Sequence, residues 1–393
     1  MDANRISKPK LLILSPASRA DLEEPLANFR KLEVWHLYHK ALKDIPLDRM
    51  NTRSLRFRNL LDAFIKTMRI RPSVIQGSEP YYLPWGFILS ALTMLAAKLL
   101  EVPYFFPMFE NLPPEVKFRN VSKRCIRLDW FLVPLLRSFM TVYARGAKLI
   151  FTPNRGARQH LAAIGIPKRK VVSNLYANWG VDLKNFSPRR DGTEPRFGRN
   201  TILFVGRIVE QKGIKYLLEA FLAVRKQISD AKLVFIGDGP LVTYIRKFVR
   251  QHALEDAVSL LGVIYNQDLP RFFRAARVVT QPSITIHASG RTTGSAEQLG
   301  MVNIQSIACG TPVVSTTSGS ISEFTEDQVV GLLVPERNSE ALVRALIRLL
   351  QDSILYQRMS AAGRKTSIER YDRSKNIIEA ERIILSRVLR QTT

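Results

Sequence analysis

The feature that most restricts the fold is a repeated alternation of short apolar runs and amphipathic segments after residue 200. Apolar runs at 201–205 and 232–236 predict buried strands, and the helical spacing at 214–228 predicts a helix between them. Glycine follows each strand, as Gly206 and Gly237. Such glycines are expected where backbone at the carboxyl edge of a parallel sheet must approach a ligand. The second half is therefore predicted to be an α/β domain.

The first half of the chain shows the same alternation less regularly. Strands predicted at 10–16, 102–109 and 147–153 are separated by helical segments, which predicts a second parallel sheet. The loop after the first of these strands contains no glycine, so a nucleotide-binding fingerprint is not supported there.

A polar stretch that contains glycine and proline, residues 191–200, is predicted to link the two halves. The chain length of 393 residues allows two or three domains of ordinary size. The boundaries that we expect are 1–190 for the N-terminal domain, 201–367 for the C-terminal domain and 368–393 for a final helix.

One loop–helix–turn–strand stretch, residues 288–315, is the strongest candidate for a binding site. Glu297 lies just before a short helix predicted to begin at Met301, and Gly310 is suited to end that helix. Gly300 leaves the backbone open near the helix N-terminus, where N–H groups and the helix dipole favour anions. The stretch is suited to hold a phosphate and to bind hydroxyls beside it. The alternative is an ordinary strand–loop–helix turn.

The chain is strongly basic, with a formal net charge of +25. Residues 1–190 hold 32 Lys and Arg against 14 Asp and Glu, a difference of +18, so the excess lies mainly in the first half. Such a surface favours anionic lipid, nucleic acid or phosphorylated substrates, or serves only solubility. No nucleic-acid-binding motif is recognised, so we do not expect nucleic acid as a partner.

A basic run at 117–127 is followed by an apolar segment at 128–136. This composition is typical of a surface that rests on anionic membrane, or of an amphipathic helix packed on its own domain. The apolar segment 85–100 is broken by Lys98 and is too short to span a bilayer. Only Cys125 and Cys309 are present, and residues 1–10 do not resemble a secretion signal. We expect a cytoplasmic protein, with peripheral contact to the inner face of the cytoplasmic membrane as an option.

Three residues in the first half, Glu110, His36 and His39, are candidates for chemistry. Glu110 follows the strand predicted at 102–109, where a carboxylate can face a crevice, although a turn or helix-capping role fits equally well. His36 and His39 lie three residues apart without a nearby third ligand, so a structural role is favoured over metal binding.

Several motifs occur in order along the second half of the chain. They are Asn178-Trp-Gly-Val-Asp, Gly206-Arg207 with Lys212-Gly213, Ile236-Gly-Asp-Gly-Pro, Gly262-Val263 with Leu269-Pro270, Glu297, and Ala308-Cys-Gly-Thr-Pro-Val-Val. In this order they resemble the retaining glycosyltransferases of family four, from about residue 178 to residue 335. The resemblance implies the α/β GT-B fold, with two Rossmann-like α/β/α domains, an interdomain cleft and a C-terminal helix that crosses back to the N-terminal domain.

The resemblance also implies a site for a nucleotide-sugar donor in the C-terminal domain. Arg207 and Lys212 would stabilise the charge on the departing diphosphate, so no metal and no cofactor would be required. Glu297 would accept hydrogen bonds from the hydroxyls of the donor sugar. The other donor-binding positions that the resemblance implies are Gly206, Gly237, Asp238, Gly239, Val263, Gly300, Met301, Val302 and Gln305.

The chain departs from the family pattern at two places. Gln305 stands where the family has a second glutamate, and loss of that charge should weaken ribose binding by about 1–2 kcal/mol. Glu110 stands near the position expected for the family's histidine, and is carried over as a catalytic candidate. The loop 281–297 resembles that of members that build bacterial surface polysaccharides on lipid-linked acceptors.

The function that these features predict is transfer of a sugar from a UDP- or GDP-sugar to a glycan or lipid-linked acceptor. The reaction would be that of a hexosyl-type glycosyltransferase in polysaccharide or glycolipid biosynthesis. The alternative is a degenerate, non-catalytic subunit with the same fold that binds a partner transferase.

Overall fold

The computed structural model describes residues 8–18, 28–41, 53–119, 122–123, 126–127, 129–176, 179–189, 192, 194–195, 197–289 and 293–390. Cys125, Asn178 and parts of the stretches 117–127, 191–200 and 281–297 lie outside this set. The chain forms two compact units. The first unit comprises Met1–Trp179 and Arg373–Thr393, and the second comprises Gly180–Asp372.

Within the described residues, the first unit contains a seven-stranded parallel sheet in the order β3-β2-β1-β4-β5-β8-β9. The strands, with the separate antiparallel hairpin β6–β7, are β1 Lys10–Ser18, β2 Glu33–Ala41, β3 Ser54–Arg56, β4 Val74–Gln76, β5 Tyr104–Pro107, β6 Ser122–Lys123, β7 Ile126–Arg127, β8 Leu149–Thr152 and β9 Val171–Ser173. The helices that precede the second unit are α1 Leu60–Ile70, α2 Trp85–Leu99, α3 Pro114–Lys117, α4 Asp129–Gly146 and α5 Arg155–Ala163.

The second unit contains a six-stranded parallel sheet, counted over the described residues, in the order β12-β11-β10-β13-β14-β15. Its strands are β10 Thr201–Val205, β11 Lys232–Ile236, β12 Val258–Leu260, β13 Val278–Gln281, β14 Val313–Thr316 and β15 Gly331–Val334. Its helices are α6 Ile214–Gln227, α7 Val242–Gln251, α8 Leu269–Ala275, α9 Met301–Ala308, α10 Ile321–Phe324, α11 Ser339–Gln351 and α12 Ser353–Arg370.

The strands form because their side chains are apolar on both faces, as a parallel sheet covered by helices requires. All five residues of β10 are buried. On one face of this sheet, α6 and α11 contribute Leu217, Phe221 and Leu346 to the core. The core therefore lies between the sheet and its helices, and the polar groups are left to the loops at the strand ends.

The strand order of the second unit brings two loops together. From β10 the chain adds β11 and β12 on one side, then crosses to add β13, β14 and β15 on the other. The carboxyl ends of β10 and β13 are therefore neighbours at the point where the order reverses. Ligands of open α/β sheets bind at such a point, because the loops on either side leave a crevice there.

The C-terminal segment returns to the first unit. Helix α13, Arg373–Ile383, continues as a π-helical turn at Ile384–Val388. Its apolar side chains, among them Ile377 and Ile384, join the core of the first unit. The carboxylate of Glu381 accepts hydrogen bonds from the backbone N–H groups of Lys31 at 2.7 Å and Leu32 at 2.9 Å.

The boundary between the units lies at Trp179–Gly180, earlier than the expected boundary at residue 190. The reason is packing of residues 180–189 within the second unit, where the Arg364 guanidinium donates to the carbonyl oxygens of Phe186 and Leu183. The stretch expected to be a linker also belongs to the second unit, and Glu194 there forms a buried ion pair with Arg274 at 2.7 Å.

None of the helices in the described part of the chain has the length and apolarity needed to cross a lipid bilayer. Helix α2, which contains the apolar segment noted in the sequence, ends at Leu99. Of the two histidines on β2, His36 lies 2.6 Å from the Ser15 hydroxyl and His39 stacks on Trp85. Both contacts are structural.

Candidate active site

Two glycine-containing loops pack backbone against backbone at the carboxyl edge of the second sheet. Gly237 has φ +134°, and a Cβ there would lie 1.9 Å from the carbonyl oxygen of Gly206. A Cβ on Gly239 would lie 2.4 Å from the carbonyl oxygen of Ile208. The Ile208 N–H donates to the carbonyl of Asp238 at 2.8 Å. The glycines are needed because any side chain would separate the two loops.

Lys212 is placed by a short 3₁₀ turn, Glu210–Lys212, in the loop after β10. The turn ends at Gly213, which has φ +67° and whose Cβ would lie 1.8 Å from the carbonyl oxygen of Pro282. The loops after β10 and β13 therefore touch at this glycine. Beside this contact, the Lys212 ammonium lies 2.5 Å from the Glu297 carboxylate, and the two side chains are 13% and 14% exposed.

Glu297 is held by hydrogen bonds in addition to the ion pair. Its carboxylate accepts from the Ser283 hydroxyl at 3.0 Å and from the backbone N–H of Gly300. Burial alone would raise the pKa of Glu297, but the Lys212 charge and the hydrogen bonds from Lys212, Ser283 and Gly300 lower that pKa below its usual value. Glu297 is therefore ionised at neutral pH and acts as a hydrogen-bond acceptor.

Helix α9 begins beside this carboxylate. Gly300, its N-cap, has the left-handed φ of +70° and leads into Met301 and Val302. The N–H groups of the first turn have no partner inside their own helix, and they lie at the positive end of the helix dipole. Gly300 already donates to Glu297, so the helix start both fixes the carboxylate and offers further N–H groups to an anion.

Arg207 lies in the loop directly after β10, and its side chain is exposed. In the described part of the chain its guanidinium forms no ion pair and no hydrogen bond. An exposed guanidinium can form two parallel hydrogen bonds with phosphate oxygens. Lys212 is thus held in a largely buried ion pair, whereas Arg207 is accessible to a ligand.

Gln305 lies on α9 and contacts the loop that follows β12. Its side-chain amide donates to the Asn266 side-chain oxygen at 2.9 Å. Val263 in the same loop is largely exposed. The roles of Val263 and Gln305 in binding the nucleoside stay predictions. Within the described residues, no group of three or more His, Cys, Asp or Glu side chains is placed to hold a metal ion.

Known proteins resemble this chain in sequence and in fold. The family model of glycosyl transferases group 1 matches residues 189–366, which lie inside the second unit. A GDP-mannose-dependent alpha-(1-6)-phosphatidylinositol monomannoside mannosyltransferase of Mycobacterium tuberculosis is 28% identical over 61% of this chain and 62% of its own length. A phosphatidyl-myo-inositol mannosyltransferase of Mycobacterium leprae is 31% identical over 55% of this chain and 52% of its own. The chain thus spans less than two thirds of the length of these relatives.

Solved structures match along nearly the whole chain. Anabaena Alr3699/HepE in complex with UDP and glucose has a TM-score of 0.74 and 15% identity, and covers 96% of this chain and 100% of its own. Sucrose-phosphate synthase from Thermosynechococcus elongatus has a TM-score of 0.72 and 18% identity, and covers 96% and 98%. The chain has the GT-B fold. The fold predicted from the sequence is confirmed, with one parallel α/β sheet in each unit.

The structure brings Lys212, Glu297 and Gly300 together and packs Gly237 against Gly206, whereas Glu110 belongs to the first unit. Glu110 is 2% exposed, pairs with the Lys117 ammonium and accepts a hydrogen bond from the N–H of Leu112 at 3.1 Å. This geometry favours a turn role for Glu110 over a catalytic one, and its catalytic role stays a prediction.

Three residues were missed by the sequence reasoning. Ser283 is hydrogen-bonded to Glu297, and Asn266 is hydrogen-bonded to Gln305. Ser283 and Asn266 each follow a strand of the second sheet, and this position is the sequence feature that could have identified them. Glu79 lies buried in the first unit and accepts from the backbone N–H groups of Phe109 and Glu110 at 3.0 and 2.9 Å. Burial, with the nearby Glu110 charge, raises the pKa of Glu79 to about 8. No local pattern marks this residue.

Proposed function

We propose that the protein is a retaining glycosyltransferase that moves a sugar from a UDP- or GDP-sugar to a glycan or lipid-linked acceptor. The observation that carries this proposal is the Lys212–Glu297 pair, held by Ser283 and Gly300 at the start of α9. The cation and the helix N–H groups are suited to bind a diphosphate, and the oriented carboxylate is suited to bind the hydroxyls of the attached sugar. The match of residues 189–366 to glycosyl transferases group 1 supports the same conclusion.

The chemistry follows from where negative charge develops. When the bond between the sugar and the diphosphate breaks, the leaving oxygen becomes negative. Lys212 and Arg207 would stabilise that charge, and cations fixed before the reaction do so without reorganisation. Glu297 would accept hydrogen bonds from sugar hydroxyls while keeping Lys212 in place. We infer that the transfer needs no metal, because these two side chains supply the positive charge; activity should therefore persist in the presence of a chelator.

The donor and acceptor classes are inferred from the relatives. HepE was solved with UDP and glucose, and the Mycobacterium tuberculosis relative is GDP-mannose-dependent, which supports a nucleoside-diphosphate sugar. The two mycobacterial relatives are named as a phosphatidylinositol monomannoside mannosyltransferase and a phosphatidyl-myo-inositol mannosyltransferase, which supports a lipid-linked acceptor. We therefore place the reaction in glycolipid or surface polysaccharide synthesis in the cytoplasm, at the face of a membrane.

One observation favours a second candidate function. Gln305 replaces a family glutamate, and its amide is engaged with Asn266. A chain with weakened ribose binding could serve as a non-catalytic subunit that binds a partner transferase. The intact Lys212–Glu297 pair favours the enzyme, because a subunit without catalysis has no need of that arrangement.

A thermal-shift screen of nucleoside diphosphates and their sugars, followed by a donor turnover assay, tests the proposal. A ligand that binds only the folded state raises the unfolding temperature. We expect stabilisation by one nucleotide class and hydrolysis or transfer of its sugar. Proton NMR of the product should show the anomeric configuration of the donor retained. Stable binding of a partner protein with no turnover of any donor would instead establish the non-catalytic subunit.

A further inference from the structure

The loop that follows β13 is held by two consecutive residues of the loop that follows β15. The Glu336 carboxylate accepts from the Thr285 backbone N–H at 2.6 Å through one oxygen and from the Thr285 hydroxyl at 2.7 Å through the other. The Arg337 guanidinium donates to the Thr285 carbonyl oxygen. Each polar group of Thr285 therefore has a partner in Glu336 or Arg337.

These contacts reach across the sheet, because β14 lies between β13 and β15. Ser318, in the loop after β14, lies beside the contact, with its hydroxyl oxygen 3.5 Å from that of Thr285. Glu336 is partly buried, with 20% of its side chain exposed, and lies 3.3 Å from the Arg337 guanidinium. Hydrogen bonds to an ionised carboxylate are stronger than those between neutral groups. The contact is therefore well suited to fix the main chain at Thr285.

The backbone at Arg337 has an unusual conformation. Its φ is +58°, in the left-handed region that favours glycine. Consecutive side chains of an extended chain point to opposite faces, whereas Glu336 and Arg337 both contact Thr285. A left-handed conformation is unfavourable for arginine and persists where the surrounding contacts fix it. The turn at Arg337 is thus part of the same anchor.

The anchored residue is close in sequence to the hydroxyl that orients Glu297. Ser283 donates to the Glu297 carboxylate at 3.0 Å, and the Ser283 carbonyl accepts from the Thr316 hydroxyl at the end of β14. The N–H of Ile284 donates at 2.8 Å to the loop after β10. Each residue from Ser283 to Thr285 is therefore bound by a different neighbouring segment, and Thr285 is the one bound by charged side chains.

We propose that Glu336 is a positioning residue for the carboxylate that binds the donor sugar, an inference that rests on the proposed function. By fixing Thr285, Glu336 keeps the Ser283 hydroxyl directed at Glu297, so that this carboxylate is oriented before a sugar arrives. Glu336 acts through Thr285 and Ser283 and needs no contact with the donor. The alternative is an anchor that only stabilises the loop. Loss of a positioning residue changes turnover, whereas loss of a simple anchor changes the unfolding temperature alone.

Glu336→Gln tests the proposal, because it removes the charge and leaves an amide nitrogen where an acceptor is needed. The kcat for the donor found in the thermal-shift screen should fall about tenfold, the size expected for loss of one hydrogen bond to a charged group. Binding of the nucleoside diphosphate without its sugar should not change, since Glu297 is assigned to the sugar. Glu340→Gln is the matched control, because the Glu340 side chain is 90% exposed. Equal kcat values for Glu336→Gln and the wild type would overturn the proposal.

A double-mutant cycle shows whether the effect passes through Ser283. Ser283→Ala should lower kcat by itself, and Glu336→Gln should add little in that background, because the hydroxyl that it positions is gone. Thr285→Val loses only the hydroxyl contact and should lower kcat less than Glu336→Gln, and Thr285→Ser should keep the wild-type value. Additive effects of Ser283→Ala and Glu336→Gln would contradict positioning and leave Glu336 as a simple anchor.

A measurement on the free protein separates this inference from the proposed function. The Lys212 charge and hydrogen bonds that include the one from Ser283 lower the pKa of Glu297 against the effect of burial. Glu336→Gln should therefore raise the pKa of Glu297, followed by carbon-13 NMR of the labelled carboxyl, and Glu340→Gln should not. An unchanged pKa would overturn the inference whether or not a donor is found. A raised pKa without turnover of any donor by the wild type would support the positioning and count against the proposed function alone.

Discussion

A buried ion pair such as Lys212–Glu297 contributes little to stability by itself, because removing two charges from water offsets their attraction. Its surroundings suggest another purpose. Ser283 and Gly300 donate to the carboxylate, so Glu297 keeps its charge and orientation in the free protein. A nucleotide sugar would meet side chains already arranged for it. This preorganisation is the physical basis of the proposed catalysis.

At the same scale, Lys212→Ala and Arg207→Ala should each raise the barrier to transfer by about 2–4 kcal/mol, because in the proposed reaction each removes a charge that stabilises the leaving diphosphate. The measurement is kcat/KM for the donor found in the thermal-shift screen. Lys215→Ala is the control, since Lys215 is an exposed lysine in the first turn of α6. Near-native rates for both site variants would contradict the leaving-group role.

Glu79 provides a pH prediction in the first unit. Its pKa is raised to about 8 from the usual 4.5, so the stability contributed by its protonated form is present below pH 4.5 and lost as pH rises through 8. Above the pKa of Glu79 in the unfolded chain, the free energy of unfolding falls by roughly 1.4 kcal/mol per pH unit until the pKa in the folded protein is reached. Glu79→Gln is neutral at every pH and should flatten the fall of unfolding temperature across this window. Glu340→Gln, at an exposed carboxylate, should leave the wild-type profile unchanged.

At the scale of elements, the candidate site depends on two strand ends being neighbours. β10 and β13 pair directly, so the loop that holds Lys212 and the loop that holds Ser283 begin side by side. Gly213 then allows the loops to touch, and the N–H of Ile284 donates to the carbonyl of Gln211 at 2.8 Å. The first turn of α9 adds the anion-binding end of a helix. Each element supplies one part of the site.

Gly213→Ala tests this contact between loops. The new Cβ would lie 1.8 Å from the carbonyl oxygen of Pro282, so the loops must separate in addition to the cost of a left-handed alanine. We expect a loss of stability above the roughly 1 kcal/mol of the backbone term, together with weaker nucleotide binding. Gly192→Ala is the matched control, because Gly192 has φ +80° and, among the described residues, no atom lies within 4 Å of the position of its Cβ. Equal effects of the two substitutions on melting and nucleotide binding would show that the contact is unimportant.

At the scale of the whole molecule, the first unit is built from two separate parts of the chain. Its core includes Ile377, Ile384 and Val388 from the C-terminal segment, and Glu381 fixes that segment to the backbone of Lys31 and Leu32. The core of this unit is therefore complete only when the C-terminal segment packs into it. The second unit, by contrast, is one continuous stretch.

Ile384→Ala should destabilise the first unit by about 2–5 kcal/mol, because it leaves a cavity in a fully buried position. Differential scanning calorimetry should show the unfolding transition of this unit at lower temperature. Ile378→Ala provides the comparison, since Ile378 lies on the same helix and is 53% exposed. If both variants melted like the wild type, the C-terminal segment would not be part of the first core.

The alternation of strands and helices, and the positions where only glycine fits, can be predicted from the amino-acid sequence. These features depend on side-chain periodicity and on backbone sterics, which act over a few residues. The motifs at Arg207, Lys212, Glu297 and Gly300 were likewise readable from their order along the chain.

Which of these residues contact one another depends on the packing of the folded chain. Lys212 and Glu297 are 85 positions apart, and their pairing depends on β13 joining the sheet beside β10. The partners Ser283 and Asn266, and the return of the C-terminal segment, also depend on strand order and on which apolar faces cover each other. Packing of the whole chain determines these contacts. Any arrangement that removes apolar surface from water is stabilising, and no local sequence pattern specifies which surfaces meet.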